Sequence, residues 1–368
     1  MARRHLRIAA DGRELLGRPT GVGRYLRGIL DAWAAADFPH DLTLYGPGPA
    51  PRDLPSPGGR VRWQALGNGR AGTWWEQTSL ARAVRRSGAD VFFGVGYSAP
   101  LWLRCPSIVV VHDASFFAHP EWFPRRQGWR RRRITRGAAR RAHAVVTVSE
   151  FSASEITRYL GIPRTSIHLA PPGAPAVEAG PPFAERESLV LFAGSLFNRR
   201  HIPLLIDAFA EAAREVPDAR LVLAGDNRTS PRQDPVELAA AAGLAGRVDW
   251  LEYVSDDALA ALYRRARVFA LLSGYEGFAM TPLEAIAHGV PPVLLDTAVS
   301  REIYGAGAAL VAADRASVGR ALVWLLRDGD AHAALLAAGR AQLTRYSWHE
   351  SAVRIQRALE HAARTGRS

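Results

Sequence analysis

The sequence predicts an α/β chain built from two doubly wound parallel sheets. Three observations carry that reading. Short apolar runs with strand character alternate with amphipathic helical segments along the whole length, the grammar of parallel strands joined by crossover helices. Runs such as Ile-Val-Val-Val at 108–111 are apolar throughout rather than every second residue, as strands covered on both faces require. The alternation halts once, at residues 171–187, which hold five prolines and no periodicity, and then restarts. A chain of 368 residues is long for one domain and comfortable for two. The expected division is 1–175, a linker at 176–187, a second domain at 188–346 and a last helical segment at 347–368.

In the first half, strands are expected at residues 6–10, 42–45, 61–66, 90–94, 107–112, 144–148 and 166–170. A Gly-x-Gly loop at Gly21-Val22-Gly23, inside Pro19-Thr-Gly-Val-Gly-Arg-Tyr25, should precede a helix to about residue 36. Gly-x-Gly between a strand and a helix is a weak phosphate signal by itself and equally an ordinary βα turn. Residues 46–59 form a Pro/Gly-rich loop, residues 73–87 a helix. The strand at 107–112 ends in His112-Asp113, at the carboxyl edge where α/β folds place their sites. Ser149 is a suitable N-cap for a helix to residue 160.

The second half repeats the pattern, with strands at 189–193, 221–224, 248–251, 267–272 and 292–295. Helices are expected at 204–215, 235–242, 255–266, 316–327, 331–346 and 348–363. Pro282 suits the first turn of a short helix from Thr281 to His288. Gly289 suits the position just beyond its end, and Pro291-Pro292 forbid continuation. A strand, a glycine-bearing loop and a helix N-terminus in succession make an anion site above Phe278-Ala279-Met280-Thr281. Glu276 and Glu284 frame it. Two acids are more than a phosphate site needs, whereas a nucleotide-sugar would use one near the sugar and one on the ribose. Acids in a first helical turn are also what the helix dipole favours by itself.

Composition narrows the function classes. The single Cys105 leaves no internal disulfide and no cysteine-rich metal site, and suits a reducing compartment. No apolar run reaches the ~18–20 residues that span a bilayer. Met-Ala-Arg-Arg-His leads straight toward a strand with no signal-peptide pattern, so a cytoplasmic chain is expected. All 47 Lys+Arg residues are arginine, and net charge is +12. Residues 1–180 hold 26 arginines against 13 acids, residues 181–368 hold 21 against 22. Arg125–Arg141 alone contains nine arginines and no acid, with Trp122, Phe123 and Trp129 beside it. It reads either as a solvated surface helix or as a helix lying on an anionic membrane face. No recognition module accompanies it, so no nucleic-acid partner is expected.

The stretch Gly-Tyr-Glu-Gly-Phe-Ala-Met-Thr-Pro-Leu-Glu-Ala-Ile-Ala-His-Gly-Val-Pro-Pro-Val at 274–293 resembles the signature of the retaining glycosyltransferases called group 1 or family 4. Departures are Ala279, where Gly is usual, and His288, often Cys. Gly-Val-Gly-Arg-Tyr at 21–25, Val-His-Asp at 111–113, Pro-Glu-Trp-Phe-Pro at 120–124 and Thr-Val-Ser-Glu-Phe-Ser at 147–152 are similar to the family in the same order. The resemblance implies the GT-B fold, two Rossmann-like domains whose parallel sheets face a central cleft, with the last segment crossing back to the first domain. It implies a nucleotide-diphosphate sugar donor held by Gly21, Val22, Gly23, Arg199, Arg200, Phe278, Ala279, Met280, Thr281 and Glu284. Arg199-Arg200 stand where the family has Arg-Lys, and His201 replaces the usual Asn. Glu276 would position the sugar hydroxyls, and His112 would donate to the sugar or steady the acceptor, with Arg24 and Asp113 on the acceptor side. The expected acceptor is a glycan, a lipid-linked molecule or a small molecule. Mannosyl transfer in cell-envelope polysaccharide synthesis is one such activity.

No metal or other cofactor is implied, and no Asp-x-Asp triplet ends a strand. A phosphorylase-like enzyme of the same fold class would need pyridoxal phosphate on a lysine, and the chain has none. A non-catalytic nucleotide-sugar-binding or scaffolding protein is the alternative. It would be expected to lose an acid or the paired cations, all of which are present.

Overall fold

The structure is a computed structural model that describes residues 5–18, 21–55, 59–67, 69 and 71–366. It divides into two compact units, Met1–Gly173 with Ser347–Ser368, and Ala174–Tyr346.

The first unit is wound around a sheet whose described strands are β1 (Arg7–Asp11), β2 (Asp41–Gly46), β3 (Val61–Ala65), β4 (Val91–Gly94), β5 (Ser107–Val110), β6 (Ala144–Thr147) and β7 (Ile167–Leu169). Their order is β3-β2-β1-β4-β5-β6-β7, every pairing parallel. Ile108, Val109 and Val110 are fully buried, as a run apolar on both faces demands. Each such side chain contributes roughly 1.5–3 kcal/mol of burial.

The closing helix, Trp348–Thr365, belongs to this unit. Its Ala352 carbonyl accepts from Trp33 Nε1 at 3.1 Å. The Trp348 ring lies so close to Gly28 and Gly173 that a Cβ there would come within 2.6 and 2.4 Å of it. Hence a helix from the far end of the chain completes the first sheet's cover.

The second unit holds β8 (Leu189–Ala193), β9 (Arg220–Ala224), β10 (Val248–Leu251), β11 (Val268–Leu271), β12 (Pro292–Leu295) and β13 (Ala309–Val311). The order is β10-β9-β8-β11-β12-β13, again all parallel. Edge strand β13 and the helix Ala298–Ile303 are additions to the elements expected from sequence, because three to six residues are too few to show a period.

Two expectations need correction. Gly21, Val22, Gly23 and Arg24 are not a loop but the first turn of the helix Gly21–Ala35. Gly23 is buried, and Tyr25, Leu26, Ile29, Leu30 and Trp33 continue its inner face, so packing overrides the weak helix propensity of glycine. Pro19 and Thr20 of that motif, and residues 56–58 of the Pro/Gly loop, lie outside the described residues. The segment expected as a linker is also tied down within the second unit. Ala174 N donates to Tyr346 O at 3.0 Å, Glu178 N to Ala287 O at 2.9 Å, and the boundary between the units falls at Gly173.

Arg186, at the end of that segment, is the strongest tie. It is 3% exposed, and its guanidinium donates to the carbonyls of Tyr263, Arg264, Ala266, His288 and Pro181. Four of these lie at the C-terminal ends of the helices Asp256–Arg265 and Thr281–Ala287, where a helix leaves carbonyls unpaired.

Candidate functional site

In each sheet the strand order reverses at one point, between β1 and β4 in the first and between β8 and β11 in the second. In doubly wound sheets ligands bind outside the carboxyl ends of the strands at that point. The residues singled out from sequence fall at or beside these two crests, and each crest is described by itself.

At the second crest the loops after β8 and β11 are joined. Gly274 N donates to Arg199 O at 2.8 Å. Glu276 lies against both arginines: Arg200 Nε donates to Oε1 at 3.0 Å, and Arg199 Nη2 is 4.0 Å from Oε2. Ser273 Oγ adds a further donor to Oε1 at 3.0 Å. Arg200 is further fixed by donating to Ser195 O at 2.8 Å. Burial raises the Glu276 pKa, but Arg200, Arg199 and the two hydrogen bonds outweigh it and hold the carboxyl below its ordinary range. Glu276 is therefore a fixed anion. Among the described residues Arg199 Nε is buried with no hydrogen-bond partner. An orphaned buried donor is costly, ~1–3 kcal/mol. Phe197 lies under both guanidinium groups, 4.4 Å from Arg199 and 5.7 Å from Arg200.

Arg199 and Arg200 are in a 3-10 turn, Asn198–Arg200, ahead of the helix Ile202–Glu215. His201 follows in the left-handed conformation, φ +46°, and offers the helix no side-chain cap. Ala279 is likewise left-handed, φ +65°. That conformation costs a residue with a Cβ roughly 1–2 kcal/mol and suits Gly, and to a lesser degree Asn, best. At 279 and 201, then, the residues the signature usually carries are those the backbone prefers. Tyr304 holds the strained loop: its hydroxyl donates to the Ala279 carbonyl and, at 3.4 Å, to Phe278 O. The helix Thr281–Ala287 starts with Pro282 in its first turn, and its first internal bond is Leu283 N to Met280 O at 3.0 Å. The Met280 and Thr281 amides are outside the ladder. Glu284 is in the first turn and buried. Glu276, Phe278, Ala279, Ser300 and Tyr304 line one small cavity here.

The first crest is built differently. His112 follows β5 and is partly buried between Tyr25, ring centroids 5.0 Å apart, and Tyr97 at 5.4 Å. Its Nε2 lies 2.9 Å from Val95 O. A carbonyl only accepts, so Nε2 carries the proton. Burial lowers the imidazole pKa, with Val95 O and Asp113 opposing. The group is neutral at pH 7, and Nδ1 is its remaining atom, an acceptor. The one N–H of the neutral ring is given to Val95 O, so of the two expected roles, donating to the sugar or steadying the acceptor, the ring's remaining atom suits the second. Ser152 Oγ fixes the His112 carbonyl at 3.0 Å, which explains the Ser-Glu-Phe-Ser wording at 149–152. Asp113 Oδ1 accepts from Ser115 N at 2.8 Å and Oδ2 from the Tyr97 hydroxyl at 2.8 Å.

A buried charged group flanks this crest. Arg13 donates to Asp11 Oδ2 from Nε at 2.7 Å and also reaches Glu76, which accepts from Ser98 Oγ at 2.7 Å. Desolvation pushes Asp11 up to about 6, against the pull of Arg13. Sequence reasoning missed Glu76, Tyr97, Tyr304 and Arg186. No local motif marks them, because each acts through partners far away in the chain.

Two family signatures cover nearly the whole chain. The one described as Glycosyltransferase Family 4 matches residues 19–176, and Glycosyl transferases group 1 matches residues 176–342. The chain belongs to the group 1 and family 4 glycosyltransferases. This glycosyltransferase is 26% identical over 361 residues to the O-antigen chain mannosyltransferase B of Escherichia coli, covering 89% of this chain and 93% of that protein. Its fold is that of GT-B enzymes. Sucrose-phosphate synthase from Thermosynechococcus elongatus superposes with a TM-score of 0.76 at 18% identity, covering 96% of this chain and 98% of the other. An Anabaena protein solved with UDP and glucose gives 0.71 at 18% identity, covering 97% and 100%. Among the described residues no helix of the glycosyltransferase is long and apolar enough to cross a membrane.

Proposed function

We propose that this chain is a retaining enzyme whose second unit holds a nucleotide-diphosphate sugar and whose first unit holds a glycan or lipid-linked acceptor. The observation that carries the reading is the pair Arg199-Arg200 locked onto Glu276 at the β8/β11 crest, in the unit that also carries the helix N-terminus Thr281–Ala287. Arg199 and Arg200 take the diphosphate, assisted by the Met280 and Thr281 amides. Glu276 accepts from the sugar hydroxyls, and Glu284 accepts from the ribose. Gly21, Val22, Gly23 and Arg24 offer the first-turn amides of a helix to the donor or the acceptor.

In the reaction the bond from the anomeric carbon to the diphosphate oxygen breaks. The acceptor oxygen attacks from the same face, and its proton passes to the departing diphosphate. His112, through Nδ1, accepts a hydrogen bond from the sugar or the acceptor. The arginines offset the developing charge in a preorganised site, usually the chief source of rate enhancement in such catalysis, and the reading needs no metal. A mannosyl donor is the first to try, since the E. coli relative is named a mannosyltransferase.

The test is a melting panel with UDP-, GDP- and dTDP-sugars, followed by NMR of the product. Stabilisation by one donor is expected by mass action. A product anomer opposite to the donor's would overturn the retaining mechanism.

A peripheral membrane site belongs to the same proposal. The helix Arg125–Arg141 has no acid, and Trp129 and Trp102 stand 57% and 72% exposed with Arg133 and Arg141 stacked at 4.9 and 5.3 Å. Exposed Trp beside Arg suits an anionic lipid surface. Binding to anionic vesicles should fall steeply with salt, and equal binding to neutral vesicles would leave only a solvated helix.

A further inference from the structure

A cavity of about 470 Å³ lies beside the edge strand β3, two strands away from β1 and the point where the first sheet's order reverses. Its size is that of a small-molecule site. Tyr45, Gln64 and Leu66 line it from the strand side, and Ser79, Arg82 and Arg86 from the helical rod Thr73–Ser87. The last three recur at intervals of three and four, so they share one face of the rod.

That face is cationic without compensation. Arginines four residues apart on a helix repel each other. Among the described residues no acid lines the cavity, and neither Arg82 nor Arg86 makes a hydrogen bond or an ion pair. Arg86 is in the last turn, where the helix dipole favours a cation anyway, but Arg82 is a turn earlier. The uncharged polar wall is already satisfied: Ser87 Oγ donates to Val84 O at 2.9 Å and is hydrogen-bonded to the buried Tyr45 hydroxyl.

The same rod reaches the first crest. Its π-helical turn, Glu76–Leu80, carries both Ser79 of the cavity and Glu76, which accepts from Arg13 and Ser98. Such turns are rare and recur at functional sites. Leu66 O, on the opposite wall, accepts from Trp75 Nε1 at 2.8 Å, and Arg13 lies 5.4 Å over the Trp75 ring. Both walls of the cavity are thus tied to the charged group that flanks the crest.

We propose that this cavity is an effector site for a small soluble phosphate monoester, held by Arg82 and Arg86, whose occupancy alters acceptor use through Glu76. Two guanidinium forks match the oxygens of a dianion, and Gln64 and Ser79 can meet hydroxyls on the body that carries it. Among the described residues no exposed aromatic lines the cavity, in contrast to the Trp-bearing face of Arg125–Arg141, so a soluble ester is favoured over a bilayer headgroup. The effect on acceptor use rests on the first unit's being the acceptor side, whereas binding does not.

The experiment compares wild type with the double variant Arg82→Gln/Arg86→Gln and the same-helix control Arg85→Gln. Calorimetry measures a hexose phosphate and a nucleoside monophosphate, each against its phosphate-free counterpart. Saturating UDP or GDP, whichever stabilises the protein, keeps Arg199 and Arg200 occupied. At least one ester should bind wild type about 10-fold or more tightly than its counterpart. The double variant should erase that difference, and Arg85→Gln should keep it. In turnover the bound ester should shift the acceptor KM of wild type about 5-fold or more, and the double variant should keep the basal rate and lose the response. No preference for phosphate, or a preference that survives the double variant, overturns the site. Binding that leaves turnover unchanged overturns the effector role, and binding to anionic vesicles with no soluble ester bound overturns the ligand class. If neither nucleotide stabilises the protein, the donor reading fails instead, and the binding comparison still decides the site.

Discussion

At the end of β11 Glu276 is held by two guanidinium groups and a hydroxyl, while at the end of β5 His112 is held by two phenol rings and a carbonyl. Both residues are fixed before any substrate arrives. The first site is fixed by charge and is suited to a leaving diphosphate, whose charge grows as the bond breaks. The second is fixed by packing and keeps its imidazole neutral, which leaves Nδ1 as a hydrogen-bond acceptor. The same crest geometry thus serves opposite electrostatics, and the residues beneath decide which.

If charge fixes the second crest, Glu276→Ala should do the most damage. It leaves two largely buried guanidinium groups uncompensated, a loss on the order of 3–5 kcal/mol of stability, read by denaturant unfolding, along with turnover. A variant as stable as wild type would show that solvent already screens the cluster. The sign with pH agrees: the folded pKa of Glu276 is depressed, so its stabilising contribution is present above the ordinary carboxylate range and is lost as pH falls through the folded value.

Arg200→Ala separates binding from structure. It should weaken nucleotide diphosphate binding by about 1.5–3 kcal/mol, roughly 10- to 100-fold in Kd. Unchanged affinity by calorimetry would remove Arg200 from the donor site.

If packing fixes the first crest, His112→Ala should leave nucleotide affinity untouched and lower kcat about 100-fold, ~2.7 kcal/mol in the barrier. Full activity in that variant would take His112 out of the chemistry.

A smaller effect sharpens the account of strain. Ala279→Gly should relieve the left-handed backbone and stabilise by up to about 1 kcal/mol, the relief being partly offset by the entropy of an added glycine. A lower melting temperature in this variant would mean that the Tyr304 hydroxyl already removes the strain. The finest test is NMR titration of His112. Because burial lowers its pKa, it should stay neutral below the ordinary 6.5, and protonation above 6.5 would contradict the aromatic setting.

Sequence by itself determined the two-sheet plan, most strands of both sheets and the family. Those are local properties. An apolar run such as 108–111 declares a strand buried on both faces, and Pro282 followed by Gly289 declares where a short helix begins and ends. The pairing of residues remote in the chain was decided only by the tertiary structure. Arg199 and Arg200 were legible as cations and Glu276 as an acid, yet their ion cluster joins segments 76 residues apart. Gly21-Val22-Gly23 has the composition of a loop, but the buried face of Tyr25, Leu26 and Ile29 draws it into a helix. Arg186 has the surroundings of a tether in the sequence, and the carbonyls that hold it come from two helices that no local pattern associates with it. The physical reason is common to all three. Local sequence sets what a segment prefers, whereas desolvation and the demand that buried donors find acceptors are met only once distant segments have packed together.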